Sequence, residues 1–205
     1  MIAIVDYGVG NLFSLVSSLR AIGENAIVTS DKNEILTADK LILPGVGAFE
    51  DAIKKLRDSG LDKTLFEFAA TSKALMGICL GMQLLFEKSY EYGEHEGLGL
   101  LKGEICPIKN DVPASLKIPH IGWNALKFTK KHPLFRYIQD GSCVYFVHSY
   151  YAKGCDDSII ASAEYGTDIC AAVAKGNIMG CQFHPEKSGT VGLNILKAFC
   201  EGANI

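Results

Sequence analysis

The hydrophobic and polar positions in the first half of the chain alternate between short apolar runs and stretches with helical spacing. An apolar run over residues 1–7 ends in a turn at 8–11, and the next apolar residues recur at helical spacing as far as Gly23. The pattern then predicts strands over 26–29, 40–43 and 74–78, and helices over 49–59, 61–71 and 80–86. Strands and helices in alternation predict a parallel, doubly wound sheet.

The second half of the chain has a different pattern, in which short apolar runs are separated by Gly, Asn and Pro. It predicts strands over 104–107, 125–128, 143–151, 159–165, 169–175 and 178–183, and a final helix over 190–200. Short strands at this spacing predict added antiparallel pairing. We therefore predict an α/β fold, a doubly wound, mostly parallel sheet with added antiparallel strands, in one domain over residues 1–205.

Composition and charge narrow the classes of function. Hydrophobic residues make up 48% and charged residues 21% of the chain, which excludes a disordered or fibrous protein. The net charge is −3 and no Lys/Arg-rich run occurs, so the basic surface that a nucleic-acid partner requires is not expected. The most apolar stretch, 74–86, is shorter than the roughly 20 residues that cross a bilayer. With no basic segment or cleavage site at the amino end, we expect a cytoplasmic protein without a membrane partner.

The cysteines and glycine motifs give no sign of a metal or cofactor. Seven cysteines with no C-x-x-C pair argue against a disulfide framework or a zinc site. A dinucleotide fingerprint after the first strand would need glycine at position 13, which is Phe13. We therefore expect neither a metal nor a cofactor.

One cysteine lies in a motif of its own. The segment from Gly77 through Cys79 to Gly81 has the form G-x-nucleophile-x-G between a predicted strand and a predicted helix, which is the pattern of a nucleophile elbow. Such a turn is strained and leaves no room for side chains two positions away, which explains both glycines. The sulfur would lie at the amino end of the helix, where free N–H groups favour a thiolate. Cys79 is therefore the candidate nucleophile, and the other six cysteines are predicted to be structural.

A histidine and a glutamate two residues apart follow the last predicted strand. His184 can take the thiol proton and return it to a leaving amine, and Glu186 can fix the imidazole tautomer and stabilise its charge. An H-P-E turn alone is more often a solvated turn, but beside the elbow it predicts a Cys79, His184, Glu186 triad.

The tetrahedral intermediate of such a reaction also needs donors for its oxyanion. The N–H of Leu80, the residue after the nucleophile, is in the expected place. A second donor is expected from the turn at 44–47, whose glycines let the backbone approach a ligand. On local sequence alone, this segment could equally be a plain turn.

Three motifs in this order resemble one family of enzymes. They are PGVGAF at 44–49, GICLGMQLLFE at 77–87 and HPEKS at 184–188. Over essentially its whole length the chain resembles the triad (class I) glutamine amidotransferases. Through DYGVGNL, PHIGWN and YFVHSYY it resembles in particular the glutaminase subunits of imidazole glycerol phosphate synthase. The resemblance implies a flavodoxin-like fold and hydrolysis of glutamine through a γ-glutamyl thioester on Cys79.

The resemblance also implies the residues that bind substrate. The turn glycines Gly45 and Gly47 would approach the ligand, and Val46 would donate its N–H to the oxyanion after the turn reorients. Gln83 and Glu91 would contact glutamine. Its α-carboxylate and α-amino ends would lie against His148, Ser149 and Tyr150. His148 could equally be a strand histidine that faces aromatic neighbours.

In this family the partner is a (βα)8 barrel cyclase. The resemblance implies a heterodimer in which ammonia passes through the barrel to make imidazole glycerol phosphate and AICAR in histidine biosynthesis. It also implies that the glutaminase is nearly silent until the cyclase holds its ligand. The segments that would face the cyclase contain Asn11, Pro119, His120, Trp123, Asn124, Tyr145 and Lys187, although Trp123 could instead belong to the core.

Several alternatives share parts of the pattern. The glutaminase of pyridoxal phosphate synthase has a GGES-like turn where this chain has PGVG. Anthranilate-type glutaminases have PGPG there, and a histidine where this chain has Met82. A DJ-1-like cysteine sensor or chaperone also has an elbow cysteine, but the H-P-E turn and Gln83 argue against it. A paralogous glutaminase that supplies ammonia for sugar amidination would retain every motif, so this alternative stays open.

Overall fold

The computed structural model describes residues 1–202, so positions 203–205 of the predicted domain lie outside the described residues. The strands are β1 Ile2–Val5, β2 Ala26–Thr29, β3 Lys40–Leu43, β4 Ala74–Ile78, β5 Lys88–Ser89, β6 His95–Glu96, β7 Glu104–Pro107, β8 His120–Phe128, β9 Cys143–His148, β10 Tyr150–Lys153, β11 Ile159–Glu164, β12 Asp168–Lys175 and β13 Ile178–Cys181. The α-helices are α1 Leu12–Ala21, α2 Lys32–Thr37, α3 Phe49–Asp58, α4 Leu61–Ala69, α5 Leu80–Leu84 and α6 Gly189–Cys200. A 3-10 turn, Pro185–Lys187, precedes α6.

A nine-stranded sheet forms the centre of the molecule, in the order β2-β1-β3-β4-β13-β12-β11-β8-β9. The strands from β2 to β13 pair in parallel, and those from β13 to β9 pair antiparallel. A second sheet of order β10-β7-β5-β6 lies beside it. The predicted fold class, a doubly wound sheet with added antiparallel strands, is confirmed.

Helices cover both faces of the parallel strands, which explains why those strands are mostly apolar. Because side chains alternate along a strand, Ala3 and Val5 pack into one core with α2 to α5, while Ile2 and Ile4 pack into a second core with α1 and α6. Burying a side chain such as Phe199, which is completely covered, stabilises the fold by about 3 kcal/mol.

Two strand predictions differ from the structure in direction or extent. The last strand was expected to be antiparallel, but β13 pairs in parallel with β4, since a tight turn at Gly176 reverses it from β12, which runs against the sheet. The predicted strand 143–151 is two strands in different sheets, β9 and β10, separated at Ser149.

Other elements were missed or shortened. β8 begins at His120 instead of 125, because its first half alternates buried and exposed positions without an apolar run. Helix α2 was not predicted; it is only 6 residues long and is capped by Asp31, whose carboxylate accepts from two backbone N–H groups. The short strands β5 and β6 were also missed, and α5 ends at Leu84. Within 1–202 no helix is both long and apolar enough to span a membrane.

Candidate active site

The site lies at the carboxyl ends of the central parallel strands. The turn at 44–47 follows β3, Cys79 follows β4, and His184 follows β13 after two further residues. In open α/β sheets, ligands bind in the crevice outside these strand ends. Residues far apart in the sequence therefore meet at one edge of the sheet.

Cys79 has the strained backbone that the elbow motif predicts. Its φ is 53° and its ψ is −112°, a backbone conformation that residues other than glycine rarely adopt. A Cβ on Gly77 would lie 2.6 Å from the Cα of Met82, and one on Gly81 would lie 1.9 Å from the carbonyl oxygen of Leu43. Both glycines are thus required by contact with backbone. Cys79 is buried, and it precedes the first residue of α5.

His184 and Glu186 lie beside Cys79 in the turn after β13. The Nδ1 atom of His184 is 2.7 Å from Oε1 of Glu186, and both side chains are nearly inaccessible to solvent. The turn is tied to β9 because the backbone N–H of His184 donates to the Tyr145 carbonyl at 3.0 Å. The Ser188 hydroxyl donates to the His184 carbonyl at 2.7 Å and accepts from the Tyr145 N–H. The imidazole orientation is therefore fixed.

The charge state of the site follows from its contacts. Burial acts to lower the pKa of His184, but hydrogen bonds to Cys79 and Glu186, and the negative charges of both groups, raise that pKa to about 9. An imidazolium at neutral pH is thus stabilised between a sulfur and a carboxylate. This arrangement can supply a nucleophile and a proton for a leaving amine.

The Glu186→Gln substitution is expected to shift the pH profile of the reaction that begins at Cys79. Since Glu186 raises the pKa of His184, its removal moves the alkaline limb of kcat/KM from about 9 to lower pH. The protonated imidazole is present below its pKa and is lost as pH rises through it. We also expect kcat to fall about 100-fold. Rate profiles of the two proteins check this, with exposed Glu67→Gln as the control; an unchanged alkaline limb would contradict it.

The turn at 44–47 packs directly on the elbow. The Tyr7 hydroxyl donates to the Pro44 carbonyl at 2.7 Å, and burial and the neighbouring Cys79 charge raise the pKa of Tyr7, which keeps it a donor. A Cβ on Gly45 would lie 2.7 Å from the backbone N of Gly81. Val46 and Gly47 are exposed and line the pocket. The first N–H groups of a helix lack helical partners, so the N–H of Leu80 is free for a ligand.

A pocket of about 320 Å³ opens beside Cys79. Ten of its lining residues are predicted catalytic, oxyanion or substrate residues, and Pro119, Val147 and Lys187 are the other three. The full lining is Val46, Gly47, Cys79, Leu80, Gln83, Glu91, Pro119, Val147, His148, Ser149, Tyr150, His184 and Lys187. Gly45 is the turn residue that is buried against the elbow, and Glu186 lies behind His184. These two residues therefore do not line the pocket. The sequence prediction thus placed residues from five separate segments in one cavity.

The profile of the family described as glutamine amidotransferase class-I matches residues 3–202. The chain belongs to the class-I glutamine amidotransferases. This confirms the family resemblance of the sequence.

Relatives of this amidotransferase are named imidazole glycerol phosphate synthase subunit HisH. The protein from Bacillus cereus (strain ATCC 14579) is 52% identical, over 97% of this chain and 93% of its own length. The Lactococcus lactis protein is 50% identical over 98% of each chain, and the Sulfurimonas denitrificans protein is 50% identical over 100% of each. The sensor and sugar-amidination alternatives are not favoured by these relatives.

Solved structures agree on the fold of the amidotransferase. One described as a glutamine amidotransferase has a TM-score of 0.75 at 20% identity and covers 98% of both chains. PurLQS from Thermotoga maritima has a TM-score of 0.74 at 19% identity, and the match covers 98% of this chain and 97% of that one. At these identities the likeness extends to the fold alone.

Gln83 and Glu91 are both held by bonds within the amidotransferase. The Gln83 amide donates to the Tyr150 carbonyl at 3.1 Å, which fixes it at the pocket wall. One Glu91 oxygen accepts from the N–H of Phe49 at 2.6 Å and thereby caps α3, whose own preceding residue makes no side-chain cap. Burial raises the pKa of Glu91, while the Phe49 bond lowers it.

Gln182 is a site residue that the sequence analysis missed. Its side chain is completely buried; its amide lies 3.7 Å from the Cys79 sulfur as a donor, and its oxygen accepts from Gln83 at 3.0 Å. An amide two residues before His184, at the end of an apolar strand, was the available signal.

The residues predicted to face a partner divide between the two sides of β8. Trp123 is 55% exposed, so it is not a core residue, and its ring contacts Tyr145, over which the Lys187 ammonium lies at 5.9 Å. His120 is 0% exposed and bonds to Asn124, which points to the same inner side. Because side chains alternate along a strand, these two cannot face the same way as Trp123. The His120 side chain is buried and that of Asn124 is partly exposed, so their place at a partner interface stays a prediction.

The structure also shows the positions of Asn11 and His148, and it bears on the metal prediction. Asn11 caps α1 and lines the same small cavity as Glu186. His148 lies at the pocket wall and also contacts the Phe146 ring, so both interpretations of it describe real contacts. Among residues 1–202, no group of three or more His, Cys, Asp or Glu side chains could hold a metal ion.

Proposed function

We propose that this amidotransferase is the glutaminase subunit of imidazole glycerol phosphate synthase, which releases ammonia from glutamine for histidine biosynthesis. The observation that carries the proposal is the full-length match, at about 50% identity, to proteins of that name. The geometry of Cys79, His184 and Glu186 supports the chemistry.

The reaction begins with attack of the Cys79 thiolate on the side-chain amide carbon of glutamine. The carbon–sulfur bond forms, and negative charge develops on the carbonyl oxygen, which accepts from the N–H of Leu80 and, after the turn reorients, from that of Val46. His184 gives its proton to the nitrogen as the carbon–nitrogen bond breaks, and ammonia leaves. Water, which transfers a proton back to His184, then hydrolyses the thioester to glutamate.

The pocket walls support an assignment of the two ends of glutamine. Glu91 offers a carboxylate to the α-amino group, since only one of its oxygens is used by Phe49. The segment His148, Ser149 and Tyr150 lies across the same cavity and receives the α-carboxylate. Gly47, with a φ of +95°, and Gly45 keep the turn close to the ligand.

The proposed partner is a (βα)8 barrel cyclase that docks over the pocket mouth. We define the partner face as the surface of Pro119, Ile121, Trp123, Tyr145 and Lys187. Ile121 and Trp123 are both more than half exposed, and large exposed apolar groups in a cluster favour a protein interface. Pro119 and Lys187 also line the pocket, so a partner docked on this face would lie where ammonia is produced.

A cytoplasmic location is part of the proposal. All seven cysteines are free, including Cys155 and Cys170, whose sulfurs lie 3.9 Å apart. Free thiols in such number are typical of a reducing compartment.

Complementation of a histidine auxotroph that lacks its glutaminase subunit tests the proposal. Growth without histidine is expected from this chain, and the Cys79→Ala variant should fail to support growth at low ammonium. Failure of the unaltered chain to restore growth, although it is expressed and hydrolyses glutamine with its own cyclase, would assign the ammonia to another acceptor.

Trp123→Ala is expected to weaken binding to the cyclase by about 10- to 100-fold, because an aromatic anchor at the centre of an interface contributes about 1–3 kcal/mol. Titration of labelled cyclase against the two proteins measures the change. Phe66→Ala removes a similarly exposed ring on α4, away from the partner face, and should leave affinity unchanged. Equal affinities for all three proteins would contradict the partner face.

A further inference from the structure

A chain of four hydrogen bonds runs from the pocket wall into the inner side of β8. His148 Nδ1 is 2.8 Å from the Tyr150 carbonyl oxygen, and His148 Nε2 is 3.0 Å from His120 Nδ1. His120 Nε2 is 2.8 Å from Asn124 Oδ1, and the Asn124 amide nitrogen donates to the Glu164 carbonyl at 2.9 Å. Backbone carbonyls, which only accept, end the chain at both sides.

The number of protons in this chain is fixed by its two ends. His148 must donate from Nδ1 to Tyr150, and His120 must donate from Nε2 to Asn124, whose oxygen is the acceptor because its nitrogen serves Glu164. The bond between the two rings needs a third proton. Two neutral imidazoles carry only two N–H protons. The complete hydrogen-bond chain therefore has one positive charge.

The surroundings of His120 suit that charge. Its ring lies between Tyr165, with centroids 4.0 Å apart and planes at 21°, and Phe146, at 4.9 Å and 19°. Aromatic faces attract a cation on either side. No acidic side chain ion-pairs with either histidine in the described part of the chain, so the charge is not neutralised locally.

Burial opposes the charge. It lowers the pKa of His148 to about 3 and also lowers that of His120, despite the Asn124 bond. His184 and Lys187 add positive charge on the pocket side, where Cys79, Glu91 and Tyr150 are the other titratable groups; Tyr165 faces His120 from behind. An anion beside His148 would reverse this balance.

We propose that the His120–His148 pair takes up one shared proton when a carboxylate ligand binds, and that His120 is a positioning residue that gives the pocket its preference for an α-carboxylate. This rests on the proposed function, in which that carboxylate belongs to glutamine. The proton comes from solvent and returns there when glutamate leaves. Since the ligand raises the pKa of the pair, affinity is highest at low pH and falls as pH rises, by at most about tenfold per pH unit.

Calorimetry on the synthase complex tests the proposal. L-glutamine is titrated into a complex that contains Cys79→Ala, in two buffers of different ionisation enthalpy, so that the difference in heat counts protons. We expect uptake of about one proton at neutral pH. Uptake should be absent when His120→Gln is added, and absent for 4-aminobutanamide, which lacks the α-carboxylate. His132→Gln is the matched control, since His132 is also buried, has a pKa lowered by burial, and lies outside the pocket.

A second titration tests Glu91, which, like His184, lies in the pocket and can gain a proton. Uptake that persists in Glu91→Gln but disappears in His120→Gln supports the pair. Glutamine binding without proton uptake, or with uptake unchanged in His120→Gln, overturns the inference. If no version of the complex binds glutamine, the result instead contradicts the proposed function.

Nitrogen NMR of the unmutated complex covers the case in which His120→Gln does not fold. With glutamate bound, both ring nitrogens of His120 should have the shifts of protonated nitrogen, and Nε2 of His148 that of an acceptor. Without ligand, the pair should lose one proton. A neutral pair in the glutamate complex overturns the inference.

Discussion

Cys79→Ala should abolish glutamine hydrolysis and leave the synthase complex assembled. The substitution removes the atom that forms the covalent intermediate, and loss of a nucleophile costs about 10⁴-fold or more in kcat. Cys79 is buried at a strained turn. Alanine is smaller than cysteine, so the substitution introduces no steric clash there. Glutamate production by the purified complex measures the loss.

Two controls separate lost chemistry from lost structure. The same complex supplied with an ammonium salt should still make product on the cyclase, since that route bypasses the thioester. Cys143→Ala removes an exposed thiol at the start of β9 and should hydrolyse glutamine normally. Residual hydrolysis within about tenfold of the unaltered protein would rule out Cys79 as the nucleophile.

The Gly81→Ala substitution should destabilise the protein by more than about 3 kcal/mol. Its Cβ would lie 1.9 Å from the Leu43 carbonyl oxygen and 3.0 Å from the Pro44 carbonyl carbon. Both are backbone atoms, so no rotamer change relieves the clash, and β3 or the elbow must move. Thermal unfolding should then occur about 10 °C lower, and activity should fall because the turn at 44–47 is displaced.

Gly176→Ala is the matched comparison for Gly81. Gly176 has a φ of +58° and open space where the Cβ would lie, so the substitution costs only backbone strain, about 1–2 kcal/mol. Activity should be retained, since Gly176 is in the turn before β13, at the opposite end of the strand from His184. Equal melting temperatures for the two variants would show that the elbow tolerates a side chain at 81.

The elbow and the triad could be predicted from sequence because their requirements are local. Glycine at 77 and 81 and the two-residue spacing of His184 and Glu186 follow from short-range geometry. The direction of β13 could not be predicted, since it depends on which neighbour the strand pairs with. Gln182 could not be identified either, because in the sequence it is one polar residue in an apolar strand. Its contact with Cys79 joins residues that are far apart along the chain.

The two faces of β8 could not be assigned from sequence for the same reason. Trp123 and His120 belong to one motif, PHIGWN, and without the strand its residues could not be assigned to faces. The first half of the strand was missed because polar residues on its inner side are satisfied by hydrogen bonds instead of apolar packing. A buried polar network gives little hydrophobic signal.

Pro119 and Lys187 belong both to the pocket wall and to the proposed partner face. If the proposed partner face is correct, a mutation at either position acts on substrate binding and on docking together. During divergence of the family, substitutions at these positions that fit a different partner enzyme would also change how the glutaminase binds glutamine. Surfaces that serve two selective demands accept few changes, which restricts the routes by which such a subunit can be recruited to a new pathway.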